Sequence, residues 1–332
     1  MQTRKATAIA HPNIALIKYW GNRDNVLRLP ANSSLSMNLA ALTTTTTVEF
    51  CSDLDADSVT IDDAKATASA RGRVSTHLDR VRALASISLK ARIISRNSFP
   101  AGTGLASSSS AFAALTVAAC AAAGLQLSTD ALSRLARRGS GSACRSVPGG
   151  YVLWDACDDD DCSFGRTFAP PDYWDLRDVI AIVESAHKAT GSTEGHVLAD
   201  TSPLQAARVA TTPARLERCK AALLARDWPG LAAVVEQDAL AMHAVMMTSQ
   251  PPLLYWRPAT LAVMQAVRAW RADGLAVAFT MDAGPNVHCI CPADSAPQAE
   301  ALVRAIPGVV RILTSGVGGG SLVLAETPAH PE

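Results

Sequence analysis

The stretch Ser98-Phe99-Pro100-Ala101-Gly102-Thr103-Gly104-Leu105-Ala106-Ser107-Ser108-Ser109-Ser110-Ala111 puts a proline, two glycines and a run of serines directly before an alanine-rich segment. A serine at a helix entrance can cap the unpaired N–H groups of the first turn. Those groups, with the positive end of the helix dipole, favour an anion. Glycines just upstream let a phosphate approach the backbone closely. The stretch lacks the Gly-Lys-Ser/Thr ending of a Walker A loop and the spaced glycines of a dinucleotide fingerprint. It reads either as another kind of nucleotide loop or as a capped helix start and nothing more. In both cases a loop must run into a long helix, Ser107–Ala123, which Gly124 stops.

Around that helix the pattern alternates between strand and helix. Thr7–Ile17 reads as a strand leading to a loop at Lys18–Arg23. Leu35–Leu39 and the threonine-rich Thr43–Phe50 read as further strands, followed by a helix over 75–90, a strand at Ala91–Ser95 and a helix over Thr129–Arg138 behind Ser128. From Val179 the texture changes to a strand, helices covering most of 201–271, a strand at Ala276–Met281 and a closing hairpin or βαβ-like tail to Leu324. A chain of 332 residues exceeds one comfortable core, so two α+β domains are expected, 1–176 and 177–332. Thirty basic residues balance thirty acidic ones, which gives no general attraction to nucleic acid or a membrane surface. The start of the chain has no apolar signal core, and no run approaches the roughly 18 apolar residues of a membrane span, so a cytoplasmic protein is expected. The eight cysteines include no Cys-x-x-Cys pair and read as buried free thiols. Asp158–Asp161 reads as a solvated turn, because four consecutive carboxylates cannot converge on one ion.

Four further segments concentrate polar groups. His11–Asp24 ends an apolar strand with Lys18, Tyr19 and Asn22. Arg138–Ser146 combines small residues with Arg145, whose planar fork suits a carboxylate or phosphate. Lys188–Thr193 is a cationic loop after a strand, and Thr280–Asn286 sets Asp282 at the end of an apolar strand. Each alone is equally a set of surface charges, helix caps and turn residues. Together they supply a phosphate cradle, charge neutralisers, a substrate clamp and a base, which is what phosphoryl transfer to an anionic hydroxyl substrate requires.

These segments, Asn13–Gly21, Phe99–Ser108, Gly139–Ser146 and Asp282–Asn286, resemble in order the hallmark segments of mevalonate diphosphate decarboxylases, members of the GHMP superfamily of small-molecule kinases. The resemblance covers nearly the whole chain. It implies an N-terminal ribosomal-protein-like domain, a ferredoxin-like C-terminal domain, a cleft between them, a homodimer, and use of ATP and Mg2+. Carried over by residue, it implies that Asp282 takes or orients the proton of the substrate's C3 hydroxyl, that Lys18 keeps Asp282 ionised, and that Arg145 and Asn13 hold the carboxylate end. Tyr19, Asn22, Ser140, Gly141, Ser142 and Arg73 would serve the 5-phosphate end. Pro100, Gly102, Gly104, Leu105, Ala106, Ser107, Ser108, Lys188 and Ser192 would serve the ATP phosphates, with Ser108 on the magnesium ion.

Two positions depart from the family pattern. Asn22 stands where the family has a second lysine that neutralises the substrate's diphosphate, and an amide supplies a hydrogen bond without charge. His196 stands where a methionine is usual, and Glu194 adds negative charge nearby. The departures favour 5-phosphomevalonate, giving isopentenyl phosphate. The alternative is that Arg23 or Arg73 replaces the lysine and the substrate remains the diphosphate. A non-decarboxylating kinase of the superfamily and a silent nucleotide-binding relative are the other readings.

Overall fold

The computed structural model describes residues 4–99, 107–184 and 191–324. The threonine run forms Thr44–Cys51, and its alternate residues are buried as the two-residue period of a strand requires. This strand pairs antiparallel with Lys5–Ala10 on one side and Lys90–Asn97 on the other. Ser58–Ile61 adds in parallel to Lys90–Asn97 and pairs with Ala64–Lys65, and Leu322–Leu324 closes the opposite edge against Lys5–Ala10, giving six strands. The helix Ser107–Ala122 lies across this sheet, apolar over most of its surface because it is covered on most sides. Ala68–Ala85, capped by Thr67, and Thr129–Gly139, capped by Ser128, pack beside it. The first of these helices begins and ends several residues earlier than the sequence suggests, with its end set by a left-handed Ser86.

His11 and Pro12 break the expected single strand, and Asn13–Ile17 turns into a second sheet with Ser34–Asn38, Tyr151–Trp154 and Gly165–Ala169. The aspartate run is the turn between the last two of these strands. Around it Cys157 and Cys162 form a disulfide, which corrects the expectation of free thiols for this pair; the other six cysteines are free and buried. The C-terminal sheet is antiparallel, in the order Ala278–Thr280, Val287–Pro292, Leu176–Ile182, Arg311–Gly316. It is backed by Pro258–Ala272 and Ala296–Arg304.

One apolar core joins the halves. Ile14, Leu16 and Leu35 of the second sheet pack with Leu216 and Leu223 of the helix Gln205–Ala225 and with Leu231 and Val235 of the helix Trp228–Thr248. The expected boundary at 176/177 falls at the head of Leu176–Ile182. Within the expected second unit, 177–332, Leu322–Leu324 returns to pair with the N-terminal sheet. Among the described residues, no helix is long and apolar enough to cross a membrane.

Candidate active site

The strand Asn13–Ile17 ends where the two halves meet, and the next residue, Lys18, is 1% exposed. Its main chain is clamped from both helices of the joining core. The Lys18 N–H donates to Asp238 Oδ2 at 2.6 Å, and Arg208 and Asn32 donate to the Lys18 carbonyl at 2.8 and 2.9 Å. Asp238 is itself held by Arg215, 2.7 Å away, so the buried carboxylate has a charge partner as well as a hydrogen bond. With its backbone fixed, Lys18 extends Nζ to Asp282 Oδ1 at 2.7 Å.

Asp282 leaves the strand Ala278–Thr280 in a turn that is pinned on three sides. Gly284 N donates to the Asp282 carbonyl, Thr260 bonds the Pro285 carbonyl, and Asn286 Oδ1 accepts from Val183 N. Burial alone would push the Asp282 carboxyl up, but Lys18, then His288 and Arg145, hold it below the ordinary carboxylate value. Burial pulls the Lys18 ammonium down, opposed by Asp282. Arg145, 3% exposed, donates from Nε to Asn13 Oδ1 at 3.2 Å and from Nη1 to Ser34 Oγ at 2.7 Å. The Asn13 amide bonds the Ser142 carbonyl and Ser146 Oγ, so Asn13 fixes both Arg145 and the segment that carries it.

A cleft of about 460 Å3 brings together Lys18, Tyr19, Arg73, Ser107, Ser108, Ser140, Gly141, Ser142, Arg145 and Asp282. Asn13 lies behind it, buried against Arg145. Ser107 and Ser108 open the helix Ser107–Ala122 towards the cleft, and Ser140 Oγ donates to Ser108 Oγ at 3.3 Å. Ser109 and Ser110 are fully buried, and Ser110 bonds Thr44. Pro100, Gly102, Gly104, Leu105, Ala106 and Lys188 lie outside the described residues, as does the side chain of Ser192. A side chain at Gly141 would sit 2.5 Å from the Tyr19 hydroxyl, so glycine is what allows this close approach.

Asn22 is placed differently from a phosphate ligand facing the cleft. Its carbonyl oxygen accepts from the Tyr19 hydroxyl, its amide donates to Asn25 Oδ1 at 2.9 Å, and it does not line the cleft. His196 does. Its ring stacks on Tyr19 at 4.1 Å and accepts a hydrogen bond from Gly21 N at 3.0 Å, and Glu194 also lines the cleft. Sequence reasoning missed Arg28, also in the lining, and the Asp238, Arg208 and Arg215 support. The three supporting residues sit on helices whose polar positions look like solvent faces until the fold turns them inward. Arg23, one candidate replacement for the missing lysine, pairs instead with Asp158 in solvent.

A family model described as the diphosphomevalonate decarboxylase-like N-terminal domain matches residues 10–165, and the mevalonate 5-diphosphate decarboxylase C-terminal domain matches 178–315. The chain belongs to the mevalonate diphosphate decarboxylase family. Among its relatives in that family, the phosphomevalonate decarboxylase of Haloferax volcanii is 37% identical, over 98% of this chain and 99% of its own. Human diphosphomevalonate decarboxylase is 36% identical, over 84% of this chain and 75% of its own. The crystal structure of mevalonate diphosphate decarboxylase from Staphylococcus aureus superposes with a TM-score of 0.92 at 34% identity, covering 97% of this chain and 98% of that one. A structure described as MDDEF in complex with MVAPP, AMPPCP and magnesium has the same TM-score and identity, with coverage of 97% and 99%. The two-domain α+β fold expected for the family is the fold observed here.

Proposed function

We propose that this chain is an ATP-dependent carboxy-lyase that converts 5-phosphomevalonate to isopentenyl phosphate, CO2, phosphate and ADP. The observation that carries the reaction type is the pairing of buried Lys18 with half-buried Asp282 in one cleft with Arg145 and with Ser107 and Ser108. Asp282 accepts the proton of the substrate's C3 hydroxyl as its oxygen attacks the γ-phosphorus, forming the O–P bond while the bond to ADP breaks. A carboxylate held below its ordinary pKa is a weak base, so its main work is to orient the hydroxyl and take the proton late. Arg145 holds the C1 carboxylate. When the C3–O bond breaks with phosphate, the C1–C2 electrons become the alkene and CO2 departs.

Serine hydroxyls at a helix start suit a hard cation beside phosphate oxygens, which fits Ser107 and Ser108, and Ser108 is the proposed ligand. Magnesium bound there supplies neutralisation of the phosphate charge. The helix entrance and Lys188 are the proposed ATP contacts. Tyr19, Ser140, Gly141, Ser142 and Arg73 are the proposed contacts of the 5-phosphate end.

The phosphate count rests on what lines that end. Position 22 brings no charge and is tied to Tyr19 and Asn25, whereas Glu194 and the stacked His196 line the cleft. The similarity to the Haloferax phosphomevalonate decarboxylase, end to end in both chains, supports the monophosphate. Arg73 in the lining is the observation that favours the diphosphate. The family resemblance further supports a cytoplasmic homodimer. A sealed assay following ATP, ADP and CO2 on both esters tests the proposal. One CO2 per ADP and a higher kcat/KM for the monophosphate are expected; ADP without CO2 overturns the decarboxylase reading, and preference for the diphosphate overturns the substrate.

A further inference from the structure

Arg28 sits in the turn between the short strands Asn22–Asp24 and Leu29–Pro30, and nothing in the sequence around it distinguishes it from a surface charge. The fold holds it in place from several directions. Asp24 Oδ1 accepts from the N–H groups of Val26 and Leu27, both at 2.7 Å, which shapes the turn. Buried Arg137 donates to the Leu27 carbonyl at 3.1 Å, and Arg28 Nε donates back to the Arg138 carbonyl at 3.3 Å, docking the turn on the end of the helix Thr129–Gly139. Arg28 itself adopts a left-handed backbone, φ 54°, which costs an ordinary residue on the order of 1 kcal/mol and persists where the surroundings impose it.

So placed, the half-buried Arg28 lines the cleft with Tyr19, Ser140 and Gly141, as does the more exposed Arg73, whose guanidinium rests 5.0 Å from the Phe112 ring centroid. Among the described residues, neither arginine has a carboxylate within ion-pair distance. Two guanidinium groups lining one cleft repel each other, and with no carboxylate of the described residues beside either, a bound anion relieves that repulsion and takes their donors over from water. Their positive charge complements a phosphate group in either ester, a phosphate monoester alone carrying about −1.5 to −2 at neutral pH.

We propose that Arg28, backed by Arg73, grips the 5-phosphate that both esters carry, while position 22 still brings no cation to a second phosphate. Arg28 is then a specificity-determining residue at a position outside the family's hallmark segments. The inference rests on the reading of the chain as acting on a mevalonate phosphate ester. It accounts for a phosphate site in which the charge enters from the turn after Asn22 instead of from residue 22 itself.

Calorimetric titration of the full chain tests it, using 5-phosphomevalonate, 5-diphosphomevalonate, unphosphorylated mevalonate and a non-hydrolysable ATP analogue. Arg28→Met removes the charge and keeps the stem, and Arg28→Asn removes the charge with a residue that tolerates the left-handed turn. Both variants should bind 5-phosphomevalonate about tenfold to a hundredfold more weakly. Both should bind unphosphorylated mevalonate and the ATP analogue within about threefold of the parent. Arg28→Lys should retain most of the affinity. Unchanged binding of the phosphate esters by the neutral variants, or an equal loss for unphosphorylated mevalonate or the nucleotide, overturns the assignment. A parent that prefers the diphosphate ester overturns the monophosphate reading alone, since the Arg28 assignment still stands or falls on whether the variants weaken that ester.

Discussion

Asp282 and Lys18 are separated by 264 positions yet meet at 2.7 Å, and the pair defines one end of the cleft. Replacing Asp282 with asparagine keeps the shape and removes the proposed base and the charge partner of Lys18. Turnover should fall by about 10³-fold while the affinity for the ATP analogue stays near the parent value, and single-turnover kinetics with a binding titration checks both. Comparable turnover in the two proteins would refute the role of Asp282. Asn22→Lys brings a cation towards the proposed 5-phosphate end but sacrifices the hydrogen bonds to Tyr19 and Asn25. It should shift the ratio of kcat/KM values towards the diphosphate by about tenfold, measured side by side on both esters. These residues were legible in sequence because their types suit phosphate and carboxylate chemistry in short segments. The inward-facing Arg28 was not, because an arginine in a polar turn has the same local pattern whether it faces solvent or a cleft.

At the scale of elements, the site hangs on the helices Gln205–Ala225 and Trp228–Thr248. Asp238 and Arg208 bond the main chain of Lys18, and Arg215 pairs with Asp238, so three residues that touch no reacting group set where the ammonium points. Asp238→Asn leaves Arg215 buried with its charge uncompensated, and loss of stability of about 3–5 kcal/mol is expected by denaturant titration. A change below about 1 kcal/mol would show that the clamp is not needed. Strand and helix periodicity revealed most of the elements, including the threonine strand and the helix after Ser107. The division of Thr7–Ile17 at His11-Pro12 and the early start of Ala68–Ala85 were less legible. A proline ends pairing without announcing which sheet the next strand joins, and the polar surface of Ala68–Ala85 gives a weak helical period.

Across the whole molecule, two buried histidines couple stability to pH. His77, in the N-terminal core against Thr116 and Phe112, is pushed down to about 3 by burial and then by Arg80, Arg28 and Arg138. His243, behind the Lys18–Asp282 pair, is also pushed down to about 3, by burial and then Lys18. The unfolded chain takes up these protons below its ordinary pKa of 6.5, and the native state does so only near 3. Their stabilising contribution is therefore complete above about pH 6.5 and is lost as pH falls towards 3, at up to about 1.4 kcal/mol per pH unit for each group. Chemical denaturation at pH 7, 6 and 5 should show the decline, and His77→Gln, which retains a donor for Thr116, should flatten it. A variant as pH-sensitive as the parent would remove His77 from this account.

From the sequence alone came the two α+β halves, the helix behind the serine run and the side chains suited to phosphoryl transfer, because periodicity and functional-group chemistry are local properties. Tertiary structure alone decided that Leu322–Leu324 closes the N-terminal sheet, that Cys157 reaches Cys162, and that Asn22 bonds Tyr19 while Arg28 faces the cleft. Those outcomes depend on which surfaces the core brings together. The serine run Ser107–Ser110 shows the division within four residues: its composition marks a helix entrance, but packing turns Ser107 and Ser108 to the cleft and buries Ser109 and Ser110.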